Sequence, residues 1–244
     1  MSLLKRACLS EMFQVTCISP PAWGNQYGET LVVEIDHSRC DQILCQFADR
    51  LPSSMKRAVP RRQFEYLLGR WCAAVRLIEL GCAEEQSWIL SKGRRPVWPN
   101  GFVGSISHSR DAVAIVVHQQ SPERTSVGVD IESIEHFGES FGALDLCFTP
   151  AEAVLLDSLK FGLPLGFSAK EALFKCLNPV VDEFFDFLDV EVSDVSSVMR
   201  TMQLRLRRRL ASIPEGSVFT ACFEVVALRH AQVWAIVTWT DQTF

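Results

Sequence analysis

The sequence predicts an α+β protein built in two units, and three observations predict it. Hydrophobic residues make up 48% of the chain's 244 and charged residues 22%, with no low-complexity tract, which is a globular composition. Two stretches carry a helical period, Gln63 to Leu80 and Phe167 to Leu177, each among short apolar runs of strand length. Those runs are mostly joined by short polar turns, so they pair as hairpins. This length admits one large domain or two of about 120 residues. The pattern divides near Pro122 to Arg124, giving units 1–123 and 124–244 with no visible internal repeat.

From the N-terminus, an irregular Pro/Gly-containing start leads to strand-like LVVEI, Leu31 to Ile35. The helix pattern QFEYLLGRWCAAVRLIEL follows, then the polar Gly/Pro-rich loop SKGRRPVWPNGFVG. Ala112 to Val117 and Val127 to Ile131 read as strands flanking the turn HQQSPERT. Thr149-Pro150-Ala151-Glu152 joins a Thr N-cap, a Pro at the first helical position and a Glu at the third, a helix start. The second long helix ends at Asn178-Pro179. Strand-like segments around Phe187 to Val192, Met202 to Leu206, Val218 to Leu228 and Val233 to Trp239 complete the chain.

A net charge of −5 and a pI near 5.6 argue against nonspecific nucleic-acid binding, so any anion must meet a local basic cluster. The nine cysteines are scattered without a CxxC pair and read as reduced, mostly buried thiols. MSLLKRACLSEMF lacks an apolar core of signal-peptide length, and no apolar run approaches 20 residues. The expectation is a cytoplasmic protein without stable membrane association.

Four constellations could carry chemistry. In VGVDIES, alternate strand side chains share a face, so Asp130 and Glu132 project together while Val129 and Ile131 point the other way. Two close carboxylates repel unless a cation lies between them, and oxygen ligands suit a hard divalent ion such as Mg2+. The same alternation also describes an edge strand with one wet face. In GSISHS, small residues let the backbone approach a ligand, and Ser105, Ser107 and His108 can bond phosphate. A Ser-rich turn looks the same. GSISHS does not match the G-x-S-x-G nucleophile elbow, which disfavours a serine hydrolase built on this segment.

In FSAKEALFK, Glu171 and Lys175 stand one helical turn apart with Lys170 beside them, while Ala169, Leu173 and Leu177 mark another stripe. Ser168 and Glu171 also fit a capping box, and Glu171 with Lys175 an ordinary helix ion pair. The guanidiniums of Arg61, Arg62, Arg70, Arg94 and Arg95 match phosphate oxygens in pairs, or form a solvated face. The run Arg205, Arg207, Arg208, Arg209 reads as plain surface or a docking patch for an acidic partner.

In order, LLGR, RRPVWPNGFVGSISHS, VGVDIES and FSAKEALFK resemble the 4'-phosphopantetheinyl transferase superfamily, in its larger two-half type serving siderophore and peptide synthetases. The WPNG...GSISHS form looks most like the enterobactin-type branch. The resemblance implies a pseudo-dimer of two similar α+β halves with the ligand cleft between them, so that a monomer suffices. It implies transfer of phosphopantetheine from coenzyme A to a serine of apo acyl or peptidyl carrier proteins, releasing 3',5'-ADP with Mg2+. Siderophore, polyketide and fatty-acid carriers all stay open as acceptors.

Carried onto this chain, the resemblance gives Asp130, Glu132 and Glu171 as Mg2+ ligands. It places Arg62, Arg95 and, less securely, Arg70 near the nucleotide phosphates. Ser107 and His108 fall at the 3'-phosphate or pyrophosphate, and Lys170 and Lys175 along the pyrophosphate. Glu171, Lys175 and Asp130 are then catalytic, Glu171 as candidate base, directly or through a water. Phe167 stands where many relatives have tryptophan, and Arg95 where several have lysine. Two rival readings exist: a noncatalytic coenzyme A or nucleotide binder of the same fold, and a carrier accepting the group at Asp157-Ser158-Leu159. Context argues against the carrier reading, since Leu155 fills the place where acceptor serines have a preceding glycine.

Overall fold

The computed structural model describes residues 6–18, 29–93, 95–121, 126–140 and 144–239, so Arg94 and the boundary segment Pro122 to Arg124 lie outside the described residues. The helices are α1 Arg6–Met12, α2 Cys40–Gln46, α3 Pro60–Glu79, α4 Glu84–Ser87, α5 Phe137–Ser140, α6 Pro150–Asp157 and α7 Gly162–Val181. The strands are β1 Val15–Ile18, β2 Thr30–Glu34, β3 Leu90–Lys92, β4 Arg95–Val97, β5 Phe102–His108, β6 Ala112–Gln119, β7 Ser126–Ser133, β8 Val190–Ser196, β9 Thr201–Leu206, β10 Val218–Val226 and β11 Gln232–Trp239.

All strand pairs are antiparallel. They form a four-stranded sheet β1-β2-β6-β5, a five-stranded sheet β7-β11-β10-β9-β8 and the small hairpin β3-β4. This is the mixed α+β architecture the sequence predicts. The period-2 pattern of β6 explains the layering. Val113, Ile115 and Val117 pack with Phe64, Leu67 and Trp71 of α3, whereas Ala112, Ala114 and Val116 pack against Val127, Val129, Ile131, Trp234 and Ile236 of the second sheet. On that sheet's other face, Val233, Ala235 and Val237 meet Ala169, Ala172 and Leu173 of α7. The order is therefore helix, sheet, sheet, helix. Each fully buried Leu, Ile or Phe contributes roughly 1.5–3 kcal/mol to holding the layers together.

β5 and β7 lie at facing sheet edges, and the Val129 backbone N–H donates to Ser105 Oγ at 3.1 Å across them. Thr149 caps α6 as expected: its hydroxyl accepts from the Glu152 N–H while Glu152 Oε2 accepts from the Thr149 N–H. GSISHS is strand, not turn, because Phe102 to His108 pair residue for residue with Gln119 to Val113. The supposed loop SKGRRPVWPNGFVG contains the β3-β4 hairpin. α7 runs past Pro179 to Val181, since a proline in the last turn forgoes only one main-chain bond, and ends at Asp182 in a left-handed conformation. The expected Ser168–Glu171 capping box is absent: Ser168 is fully buried inside α7. The nine cysteines are free thiols. Among the described residues, no helix is long and apolar enough to cross a membrane.

Candidate active site

The site forms where α7 crosses β7 beside the edge strand β5. Gly128 permits the close approach, since a Cβ there would lie 1.9 Å from the Ala172 carbonyl oxygen and 2.5 Å from the Cys176 nitrogen of α7. Beyond it, Asp130 is only 2% exposed, so the edge strand has no wet face at this point. Lys175 Nζ donates to Asp130 Oδ1 at 2.5 Å and to Ser107 Oγ at 2.8 Å, and Ser107 donates to the same Oδ1 at 2.7 Å. Residues from the two sheets and α7 thus share one hydrogen-bond triangle. Asp130 Oδ2 is enclosed without a hydrogen-bond partner, and an orphaned carboxylate oxygen calls for a cation.

The electrostatics agree. Burial pushes the Glu132 carboxyl up to about 8, with Asp130 and Glu171 adding to the rise and Lys175 opposing it. Burial likewise raises Glu171, with Asp130 adding and Lys175 opposing. Burial works against the charge on Lys175, but Asp130, Glu171 and Glu132 outweigh it and the ammonium is held above its ordinary value.

Two cavities meet at Ile106, Glu171 and Lys175. The smaller, about 690 Å³, is cationic along one wall with Arg61, Arg62 and Arg110 beside His108, and holds Asp130 and Glu132 on the other. Glu65, buried beneath it, accepts from Arg61 Nε and from Arg62, each at 2.9 Å. Arg62 also donates to His108 Nε2 at 2.7 Å, which fixes that nitrogen as an acceptor and the ring as neutral. Burial lowers the His108 pKa, and Arg62 and Lys175 lower it further against Glu65 and Asp130. The larger cavity, about 960 Å³, is walled by Trp98, Phe174, Phe184, Phe185 and Phe187 with Lys92 and Arg95 at its border.

Arg62, Ser107, His108, Asp130, Glu132, Glu171 and Lys175 therefore converge, and Arg95 reaches the larger cavity, paired with Asp182 at 2.8 Å. Two expected phosphate contacts need correction. Arg70 is buried, donates to Ser91 Oγ at 2.7 Å, lies over the Tyr66 ring and borders neither cavity, and burial lowers its pKa. The Lys170 ammonium is spent on Glu152 Oε1 at 2.7 Å and on the Cys147 and Phe187 carbonyls at 2.8 and 3.0 Å; Lys170 borders the larger cavity but is only 2% exposed. Sequence reasoning missed Glu65, whose spacing of three and four residues from Arg62 and Arg61 was the available signal. It also missed Arg110 and His136. Ser158 ends α6 with its hydroxyl donating to the Leu155 carbonyl.

A family model described as the 4'-phosphopantetheinyl transferase N-terminal domain matches residues 51–118, and one described as the 4'-phosphopantetheinyl transferase superfamily matches residues 126–222. Enterobactin synthase component D of Escherichia coli O157:H7 is 34% identical over 173 residues, 68% of this chain and 78% of that protein. The chain belongs to the 4'-phosphopantetheinyl transferase superfamily. Its superfamily relatives include 4'-phosphopantetheinyl transferase Npt of Nocardia iowensis, 32% identical over 56% of this chain and 61% of that protein. Another, 4'-phosphopantetheinyl transferase PptT of Mycobacterium tuberculosis (strain ATCC 25618 / H37Rv), is 33% identical over 56% of this chain and 60% of that protein. The chain thus spans about three-fifths of the length of these two relatives. A crystal structure of a holo-(acyl-carrier-protein) synthase from Bacillus anthracis str. Ames in complex with CoA (3',5'-ADP) matches 48% of this chain and 98% of that one, at 18% identity and TM-score 0.31, too remote to bear on the site.

The site admits a metal on chemical grounds. Among the described residues no three His, Cys, Asp or Glu groups are already gathered around one metal-sized space. The donors nevertheless fit a hard divalent ion: three neighbouring carboxylates, of which Asp130 raises the pKa of Glu132 and Glu171 and itself has a buried oxygen lacking any partner.

Proposed function

We propose that the chain transfers 4'-phosphopantetheine from coenzyme A to a serine of apo acyl or peptidyl carrier proteins, releasing 3',5'-ADP. One observation carries this reading: a basic cavity and a larger aromatic one meet at Lys175 and Glu171, beside an unpartnered Asp130 oxygen. The junction suits the pyrophosphate. The cationic wall of Arg61, Arg62 and Arg110, with neutral His108 beside it, suits the nucleotide phosphates, and the aromatic cavity the pantetheine arm. The division at 123/124 into two halves flanking this cleft belongs to the same proposal, and with both halves in one chain a monomer suffices. Enterobactin synthase component D among its relatives favours a siderophore synthetase carrier as the acceptor.

The serine oxygen attacks the phosphorus bearing pantetheine, the phosphoanhydride bond to the other phosphorus breaks, and 3',5'-ADP leaves. Lys175, held charged by Asp130, neutralises the pyrophosphate oxygens. Glu171, which borders both cavities, accepts the serine proton directly or through a water. Mg2+ held by Asp130, Glu132 and Glu171 would supply charge neutralisation at the pyrophosphate. Incubation with coenzyme A, Mg2+ and a panel of apo carriers, scored by intact mass, tests the proposal. A mass gain of one phosphopantetheine on at least one carrier is expected; coenzyme A binding with no modified carrier in the panel would favour the noncatalytic reading.

Glu132 makes a second prediction with two opposed signs. Its folded carboxyl titrates near 8 against an ordinary 4.5, so between those values the native state holds a proton that the unfolded chain has released. Its contribution to stability is therefore complete below about 4.5 and is lost as pH rises through about 8. Glu132→Gln is expected to flatten the fall in metal-free Tm between those pH values while lowering the Mg2+-dependent transfer rate. Thermal melts across pH, run beside rate assays, check both, and a variant that melts in parallel with wild type would refute the assignment.

A further inference from the structure

The segment joining α7 to β8, residues 182–189, walls the larger cavity with Phe184, Phe185, Asp186 and Phe187, yet its only regular element is a single 3-10 turn, Phe187–Asp189. What fixes it comes largely from elsewhere in the chain. Arg208, just beyond β9, donates through one terminal nitrogen to Glu183 Oε1 at 2.6 Å and through the other to the Phe184 carbonyl at 3.0 Å, while its Nε stands 3.1 Å from Asp189 Oδ2. Two main-chain donors reinforce the grip: Ala211 N–H to Glu183 Oε2 at 3.2 Å and Arg207 N–H to the Asp189 carbonyl at 2.8 Å. A single planar guanidinium thus holds both ends of the segment, which a point charge could not do.

Its neighbours in the basic run do otherwise. Arg205 stands 3.8 Å from Glu191, and Arg209 Nε donates to the Ala211 carbonyl. Phe184 shows why the grip matters. It is 72% exposed, so burial does not hold it in place; its carbonyl is tied to Arg208 and its ring meets the edge of Phe174 at 5.9 Å, another wall of the cavity.

We propose that Arg208 is a positioning residue for coenzyme A: by clamping residues 182–189 it sets the aromatic wall against which the pantetheine arm lies. The assignment rests on the transferase reading above. Arg208 touches no reacting atom, so its loss weakens coenzyme A binding and leaves the chemical step alone. A role confined to global stability would lower the Tm and leave the coenzyme A constants unmoved.

The test varies coenzyme A and apo carrier separately in steady-state assays of wild type, Arg208→Gln, Arg208→Lys and Arg205→Gln, with coenzyme A binding measured alongside by calorimetry. Arg208→Gln is expected to raise both the KM and the Kd for coenzyme A about tenfold, with kcat and the carrier KM changed by less than about twofold. Arg208→Lys recovers part of that loss, and Arg205→Gln behaves as wild type. Glu183→Gln, which weakens one end of the clamp and changes the acceptor of the Ala211 N–H while leaving Arg208 in place, gives a smaller rise and serves if Arg208→Gln does not fold. An unchanged coenzyme A constant in Arg208→Gln overturns the proposal, as does a rise confined to the carrier KM, which would mark a docking patch. Should wild type modify no carrier, the transferase reading fails, while the calorimetric Kd still decides whether Arg208 shapes the coenzyme A site.

Discussion

Replacing Asp130 by asparagine is expected to slow phosphopantetheine transfer about a hundredfold at saturating coenzyme A and Mg2+, roughly 3 kcal/mol of transition-state stabilisation. The substitution keeps the shape and one acceptor oxygen, so Ser107 and Lys175 retain a hydrogen-bond partner. What disappears is the charge that raises Lys175 and the carboxylate oxygen left enclosed without a partner. The fold has less to lose, because Glu132 and Glu171 remain beside Lys175 to balance its charge, and repulsion on Glu132 is relieved. Initial rates measured with thermal melts on the same preparations separate the two effects. A rate within about threefold of wild type would remove Asp130 from the chemistry.

Gly128→Ala is expected to have the largest structural effect of any conservative change on β7. The added methyl would meet the Ala172 carbonyl oxygen at 1.9 Å and the Cys176 nitrogen at 2.5 Å, and both are helix backbone that no rotamer change can move. Relief requires α7 to back away from β7, which also breaks the bond from Ser126 Oγ to the Cys176 carbonyl and draws Lys175 from Asp130. Overpacking against fixed backbone costs about 3 kcal/mol here, the top of the usual range, a fall in Tm of roughly 6–12 °C for a chain of this size. Activity falls with it, since Glu171 and Lys175 ride on α7 while Asp130 and Glu132 ride on β7. A melt within about 2 °C of wild type would show that the two elements are not so closely fitted.

The halves of the site differ in how far the sequence reveals them. Alternation in VGVDIES places Asp130 and Glu132 on one face because strand geometry leaves no other choice. The same logic misleads in FSAKEALFK. Lys170 and Glu171 are adjacent, about 100° apart on the helix, so Lys170 turns toward Glu152 and the Cys147 and Phe187 carbonyls while Glu171 faces the cavities. Likewise Lys175 reaches across to Asp130 and Ser107 of other elements, a long-range contact that no helical spacing encodes.

GSISHS was hidden for a different reason. Glycine and serine have poor strand propensity, and only pairing with β6 makes the segment a strand, on which the hydroxyls of Ser105 and Ser107 serve β7. The short elements α1 and β1 lay in a stretch read as irregular, being too brief to show a period. The longer elements and the Thr149 cap were legible, because there local pattern and tertiary packing agree.

The most direct single measurement follows both products of one reaction, quantifying 3',5'-ADP and modified carrier together after the chain is mixed with coenzyme A, Mg2+ and an apo carrier. The account predicts that the two appear in equal amounts and at equal rates, and that neither forms when the acceptor serine of the carrier is replaced by alanine. Coenzyme A remaining intact on the protein, with no 3',5'-ADP and an unmodified carrier, would contradict it.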